Sequence, residues 1–287
     1  MIKIHTRRNG INRSAFGNIG IAMILILVAA FMLLPFIYSI LQSLKPMEEI
    51  FAYPPKFYVK NPTLSNYKQI WLLADTLWIP FSRYIFNSVF VTVVGIIISF
   101  SVGVLAAFPL AKYDFPGNRL ISQLITMALL FTGPVTALPQ YIIVAKLGMI
   151  DTYWAFILPV AAAPLNLFLM KNFMVQISDS MIEAATIDGA GMMASFWKIC
   201  LPLVRPAILT AIILSFQTLW NSTGGNYVFS EEMKTLPTML TQISTSGIAR
   251  TGVSAATSVI MLIPALVVFV LLQSKVVETM AYSGIKE

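Results

Sequence analysis

Six runs of apolar residues, separated by short polar segments, determine what this chain can fold into. Each run comes close to the ~20 apolar residues that a helix needs to cross the ~30 Å hydrocarbon core of a bilayer. The chain is 57% hydrophobic and only 11% charged, whereas a soluble domain carries about a quarter of charged residues. We therefore predict an all-α integral membrane protein. Its six transmembrane helices are predicted at residues 17–41, 84–111, 120–145, 152–172, 206–222 and 254–274.

The basic residues lie at the ends of these runs and predict an orientation. Of the 19 Lys and Arg residues, 11 lie on the inner side if both termini are cytoplasmic, and four of these precede the first run. The prediction is N-in/C-in, with cytoplasmic tails at 1–16 and 275–287 around a transmembrane domain at 17–274. The long outer loops are then residues 42–83 and 223–253. Because span ends explain the formal charge of +7, we predict the lipid bilayer as a partner and no nucleic acid.

The sequence lacks the residues that ion-coupled carriers, several enzyme families and metal sites usually require. None of the six runs contains Asp or Glu, and ion-coupled carriers usually need a carboxylate inside the membrane, although backbone carbonyls can still bind sodium. The chain has no GxxxxGK[ST], HExxH or GxSxG motif. Its single cysteine, Cys200, and its single histidine, His5, do not make a metal site. We predict a protein that is not an enzyme and binds no cofactor of its own.

A polar segment between the fourth and fifth runs, "EAATIDGAGMMASFWKICLPLVRP", differs from its surroundings. Ser180 and Glu183 fit an S-x-x-E capping box at the start of a short helix, and Gly189 ends that helix. A second helix follows, and Pro202 and Pro206 end it and set the start of the fifth span. The pattern predicts a helix-turn-helix along the inner membrane face, called here the polar hairpin (residues 178–206).

Two interpretations of the polar hairpin remain open from the local pattern. The small side chains of Ala184 and Ala185 let another protein approach closely, and Glu183 and Asp188 flank them as partners for basic groups. Alternatively, the hairpin is an amphipathic surface element in which Glu183 only caps its own helix.

The spacing of this segment resembles a known family. Glu183-Ala-Ala, three residues, Gly189, nine residues and then "ICLP" match the EAA signature of permease subunits of binding-protein-dependent ABC importers. The stretches "RYIFNSVFVTVVGIIISFSVGVLAAFPLAKYDFPG", "LPQYIIVAKLGMIDTYWAFILP" and "TLPTML" are similar to the carbohydrate branch, and to the second permease of the maltose-type pair. The tail "ETMAYSGIKE" resembles importers of oligosaccharides in Gram-positive bacteria.

The resemblance implies a six-helix type I importer fold in the bacterial plasma membrane. It implies four kinds of partner: a second homologous permease, two cytoplasmic ATPase subunits that bind ATP and Mg, an extracytoplasmic sugar-binding protein and the bilayer. It also implies roles in coupling to the ATPase for Glu183, Ala184, Ala185, Asp188, Gly189, Ile199, Leu201 and Pro202.

Two further sets of residues are weaker candidates. Gln217 and Asn221 are four residues apart on one helix face with Trp220 between them, a combination suited to sugar, although such residues also anchor and join helices. Asn166 and Gln140 are similar candidates for a substrate path. The outer loop 223–253 resembles the family loop that reaches into the binding protein, but its composition also suits an ordinary flexible loop. The residues proposed there are Gly247, Arg250 and Gly252.

Other functions stay open from the sequence. The same kind of importer can serve another solute, such as a phosphodiester or a polyamine. An ion-coupled carrier acting alone and a membrane anchor for another complex are alternatives from other classes.

Overall fold

A computed structural model describes residues 15–75, 79–131, 133–245 and 250–283, excluding the side chains of 15, 16 and 274–283. These residues form helices and loops without a β-strand, which confirms the all-α class. The α-helices are α1 Ala15–Leu44, α2 Met47–Ile50, α3 Ser65–Asp75, α4 Phe81–Lys112, α5 Asn118–Ala128, α6 Gly133–Lys146, α7 Trp154–Ala161, α8 Pro164–Val175, α9 Asp179–Ile187, α10 Met192–Ser195, α11 Leu201–Leu203, α12 Arg205–Trp220, α13 Leu236–Ser244 and α14 Thr251–Ser283. A π-helical turn (Phe196–Cys200) joins α10 to α11, and a 3₁₀ turn spans Glu231–Met233.

Four segments among the described residues are long and apolar enough to cross a membrane, and they match four of the predicted runs. They are Gly17–Leu44, Phe81–Lys112, Trp154–Val175 and Thr251–Gln273. The third run is a bent pair of helices, α5 with α6. The fifth run lies on α12, which forms a second bent pair (74°) with the preceding segment Met192–Leu203. By length and composition, the described residues thus contain four candidate spans, or up to six if each bent pair crosses the membrane once.

Proline explains where several helices begin and end. Ala163 is extended (φ −62°, ψ 118°) because it precedes Pro164, which starts α8. Pro206 lies in the first turn of α12, where its missing N–H is not needed. Pro35, Pro109 and Pro264 are contained within long helices. Membrane helices tolerate such internal prolines when neighbouring groups satisfy the freed carbonyls.

Helix α4 lies at the centre of the bundle, against α7, α8, α12 and α13. Small residues at four-residue intervals form one buried ridge on it: Gly95, Ser99, Gly103 and Ala107. A Cβ atom added to Gly95 would lie 2.6 Å from Leu219 Cδ1. Small side chains let membrane helices approach closely, and this contact largely replaces the hydrophobic effect in lipid.

The loops opposite the polar hairpin form a packed cap, called here the loop cap (residues 45–75 and 223–245). Asn66 Nδ2 donates to Ser43 O (2.8 Å) and Lys45 O (2.9 Å), the carbonyls at the end of α1. Asn87 Nδ2 donates to Glu232 O (2.9 Å) and Lys234 O (2.8 Å). The described part of the loop 223–253 is therefore held against the helices and includes helix α13.

Helix α1 is the least covered long helix. It contacts α14 and α3, yet its residues from Gly17 to Tyr38 are almost all exposed and mostly apolar. An apolar helix with such a surface belongs in lipid or against another membrane helix.

Candidate functional site

The polar hairpin consists of α9, a turn at residues 188–191, and a second helical segment from Met192 to Leu203. The predicted capping box is wrong. Ser178 occupies the N-cap position without a side-chain cap bond, and Ser180 lies inside the helix with its Oγ 2.6 Å from Ser178 Oγ. Position N3 is therefore Met181, so Glu183 does not reach back to the helix start.

A contact distant in sequence explains where α9 begins. Lys112 Nζ, at the end of α4, lies 2.7 Å from Asp179 Oδ1 and also donates to the Ile177 carbonyl. The Lys112 side chain is 3% exposed, whereas that of Asp179 is 78% exposed. Residues on both sides of Ser178 are thus fixed to α4, and helix α9 starts at Asp179.

The turn after α9 confirms the predicted helix end at Gly189. Its φ of +84° is left-handed, a conformation that glycine adopts without strain. Gly189 N donates to Thr186 O (3.0 Å) and Ala190 N to Ala185 O (2.8 Å). These two bonds are the Schellman pattern, which satisfies carbonyls at the end of the helix.

The second segment of the polar hairpin is embedded in the protein core. Phe196 and Cys200 are buried in a cluster with Met174 of α8 and Ala207 of α12. Of the predicted coupling residues, Leu201 is half-buried against this cluster, Ile199 is half-buried and Pro202 is exposed. Sequence reasoning missed Phe196 and Cys200 as anchors, although their four-residue spacing places them on one helix face.

The π turn beside these anchors follows from Pro202. Leu201 N donates to Phe196 O, five residues earlier. Proline has no N–H to give to the carbonyl four residues before it, which favours such an irregular turn.

Helix α9, in contrast, presents an exposed face. Glu183, Ala184, Ile187 and Asp188 are exposed there and are called here the docking face. Ile187 is 86% exposed. Within the part of the chain that the structure describes, Glu183 makes no hydrogen bond or ion pair. Ala185 is half-buried on the opposite side, and Ile182 packs against the core cluster. The docking face combines two carboxylates with small and apolar side chains, and no described residue covers it.

The structure separates the residues considered for a substrate path. Gln217 and Asn221 are both exposed at the end of α12, and Asn221 Nδ2 donates to Gln217 O (2.8 Å). Trp220 is buried on the other side, where its Nε1 donates to Met261 O of α14 (3.2 Å) and its ring stacks on Phe216. The predicted grouping of an aromatic ring with two amides is therefore not formed by these three residues.

Asn166 joins three helices. Its Nδ2 donates to Ser99 Oγ of α4 (2.9 Å) and to Ser215 Oγ of α12 (2.8 Å), and the residue is buried. This geometry favours a role in helix packing. Gln140 is half-buried on α6, and its role in a substrate path stays a prediction.

The candidate binding-protein residues also differ in placement. Gly247 lies outside the described residues. Arg250 Nη1 donates to Ile243 O of α13 (3.1 Å). Gly252 is buried, and a Cβ atom there would lie 2.5 Å from Asn66 Oδ1. Arg250 and Gly252 therefore contribute to the packing of the loop cap.

Comparison with known proteins supports the family suggested by the EAA spacing. Residues 84–277 match the family model described as "Binding-protein-dependent transport system inner membrane component". The chain is 35% identical to Protein LplC of Bacillus subtilis over 77% of this chain and 72% of the relative. It is also 35% identical, over 69% of this chain and 67% of the relative, to the polygalacturonan/rhamnogalacturonan transport system permease protein YtcP of the same organism.

A solved structure extends this similarity to the fold. The crystal structure of a bacterial ABC transporter involved in the import of the acidic polysaccharide alginate contains a similar chain. The two superpose with a TM-score of 0.75 at 25% identity, over 90% of this chain and 95% of that one. The residues that match the family model, 84–277, include the polar hairpin and the helices into which it is anchored. The chain therefore belongs to the family of inner membrane components of binding-protein-dependent transport systems.

Proposed function

We propose that this chain is the permease subunit of an ATP-driven importer that takes up oligosaccharides from an extracytoplasmic binding protein. A second, homologous permease completes the pathway, and two ATPase subunits bind the ATP and Mg. In this proposal the chain has six spans, both termini are cytoplasmic, and the polar hairpin lies on the cytoplasmic side of the bacterial plasma membrane. The oligosaccharide class is supported by the transport named for the relative YtcP and for the compared crystal structure.

The observation that carries the proposal is the contrast between the two segments of the polar hairpin. Helix α9 exposes its docking face, whereas Phe196 and Cys200 fix the second segment among α4, α8 and α12. An ATPase that binds the docking face can therefore move these helices through a connection that is packed in the core. ATP can drive transport in this way only because the ATPase binds differently to the two states of the permease.

Each coupling residue has a specific part in this arrangement. Glu183 and Asp188 supply charge for basic groups of the ATPase, and Ala184 allows close approach. Gly189 makes the turn, while Ala185, which is half-buried, supplies a second small side chain. Ile199, Leu201 and Pro202 continue the polar hairpin into α12.

Affinity purification tests the proposal. The tagged wild-type chain should co-purify with an ATPase and a second permease. Glu183→Lys should lose the ATPase and keep the second permease, since the new charge opposes the basic groups of the partner. Glu48→Lys is the matched control, because Glu48 is an exposed acid on α2 in the loop cap, and it should retain both partners.

Other outcomes contradict the proposal. If the wild-type chain purifies alone and an ion gradient drives its uptake, it is an ion-coupled carrier. If Glu183→Lys keeps the ATPase and normal uptake, the docking face is not where the ATPase binds.

A further inference from the structure

Helix α5 divides into a polar and an apolar side. Asn118, Arg119, Ser122, Gln123 and Thr126 occupy one continuous arc of the helix, since residues three and four apart share a face. The remaining arc is apolar and includes Leu120, Leu124 and Met127, all exposed. In a membrane protein the apolar arc can face lipid, but the polar arc needs water or polar partners.

The polar arc faces a cavity of about 730 Å³, which is open to the surface. Its walls are this arc, the side chain of Lys171 from α8, the loop residues Asp114, Phe115 and Gly117, and the apolar Met127 and Leu130. The volume falls within the range of about 300–1,000 Å³ typical of small-molecule sites. Hydroxyl and amide groups along α5 provide hydrogen-bond partners suited to sugar hydroxyls.

The charges around the cavity are unbalanced. Lys171 Nζ donates to Ser122 Oγ at 2.5 Å, and Lys171 is half-buried. Among the described residues, neither Lys171 nor Arg119 lies within ion-pair distance of a carboxylate. Asp114 is the single acid in the cavity wall, so two cations face one anion. A half-buried cation that makes no ion pair with a described residue is free to pair with an anionic ligand.

The cavity lies at the same end of the bundle as the polar hairpin. Asp114 in its wall lies two residues after Lys112, which is bonded to Asp179 at the start of α9. If the polar hairpin is cytoplasmic, the cavity opens at the cytoplasmic mouth of the helix bundle.

We infer that this cavity binds an acidic oligosaccharide at the inner end of the pathway, with Lys171 and Arg119 recognising a uronate carboxylate. This inference rests on the proposed function and adds the substrate class and the residues that select it. Cations provide charge-assisted hydrogen bonds to carboxylates, and Asn118, Gln123 and Thr126 serve the sugar hydroxyls. Asp114 limits the attraction, so that the saccharide can leave the site.

The test uses the complete importer in proteoliposomes with its binding protein. The probes are galacturonate and mannuronate trimers, the same trimers with methyl-esterified carboxylates, and a neutral trisaccharide. Lys171→Gln keeps a hydrogen-bonding group for Ser122 but removes the charge. It should lower uptake of the acidic trimers relative to the esterified ones by about tenfold, the typical effect of one charge-assisted hydrogen bond. Asp114→Asn should raise the ratio of acidic-trimer uptake to esterified-trimer uptake. Lys146 is an exposed cation at the end of α6, so Lys146→Gln should leave this ratio unchanged.

Several results would overturn the inference. If Lys171→Gln lowers the uptake of acidic and esterified trimers equally, the residue only supports the fold. If neither uptake changes, the residue does not select substrate. Unchanged sugar uptake, with loss of ATPase stimulation by anionic-lipid vesicles, would assign the cation to lipid phosphate. Wild-type import of the neutral trisaccharide alone would refute the acidic class and leave the proposed function intact, whereas import of no saccharide would refute the proposed function itself.

Discussion

Replacing Gly189 with alanine isolates the contribution of one turn to coupling. The residue has φ +84°, and no heavy atom lies within 4 Å of an added Cβ. The substitution therefore introduces no clash, and its whole cost is the left-handed backbone of a residue with a side chain, about 1–2 kcal/mol. If this strain is relieved only by opening the turn, the ATPase has to restore it on binding. The apparent affinity for the ATPase then falls by up to about 5- to 30-fold.

Gly191 provides the matched control. It has an ordinary extended backbone (φ −72°, ψ 167°) and also has no heavy atom within 4 Å of an added Cβ. Gly191→Ala should bind the ATPase like wild type, and Gly189→Asn should be intermediate because asparagine tolerates the left-handed region better.

The assay is titration of the purified ATPase against the permease pair in proteoliposomes, followed by saccharide uptake per ATP hydrolysed. Equal affinities for Gly189→Ala and Gly191→Ala would refute the reasoning, since the two variants add the same methyl group two residues apart.

Three further predictions concern other parts of the structure. Lys112→Met should lower the free energy of unfolding by about 1–3 kcal/mol, because the bonds to Asp179 and to a buried carbonyl are both lost. Asp179→Asn should lower it by under about 1 kcal/mol, since this acid is mostly exposed. Equal shifts of the thermal midpoint in the two variants would contradict this difference. Gly252→Ala should destabilise the loop cap by about 1–3 kcal/mol, because its Cβ would lie 2.5 Å from Asn66 Oδ1; thermal unfolding measures this, and an unchanged midpoint would show that the contact relaxes freely. The backbone N–H of Lys60, helped by that of Asn61, lowers the pKa of Glu49. Its stabilisation is present above the unfolded pKa and is lost as pH falls through the folded pKa. Protease cleavage of the loop at 45–61 should therefore rise on acidification in wild type, and Glu49→Gln should remove this pH dependence.

The polar hairpin shows what local sequence can and cannot predict. The helix, its end at Gly189 and the start of α12 beside Pro206 all depend on residues close in sequence, and these predictions are confirmed. The capping box was wrong because Lys112, far away in the sequence, fixes Asp179 and with it the first turn.

The environments of buried polar groups depend on helix packing and could not be predicted. Trp220 turns away from Gln217 and Asn221 because the Met261 carbonyl of α14 accepts its N–H. The position of Lys171 in the cavity wall depends on the packing of α8 against the polar arc of α5, where Ser122 accepts its hydrogen bond. The polar residues of α5 recur with a helical period in the sequence, but most of them lie within the apolar run at 120–145, which predicts one membrane span.

Chemical cross-linking from a cysteine introduced on α9 tests the central claim that the docking face binds an ATPase. The native Cys200 is fully buried, so a cysteine introduced on the surface is the reactive one among the described residues. Ala184→Cys lies on the docking face, and Ile182→Cys, on the side that packs against the core, is its control. With a short bifunctional thiol-to-amine reagent, Ala184→Cys should cross-link to the ATPase and Ile182→Cys should not. Failure of Ala184→Cys to reach the ATPase in an importer that still transports, or equal cross-linking from both positions, would contradict the account.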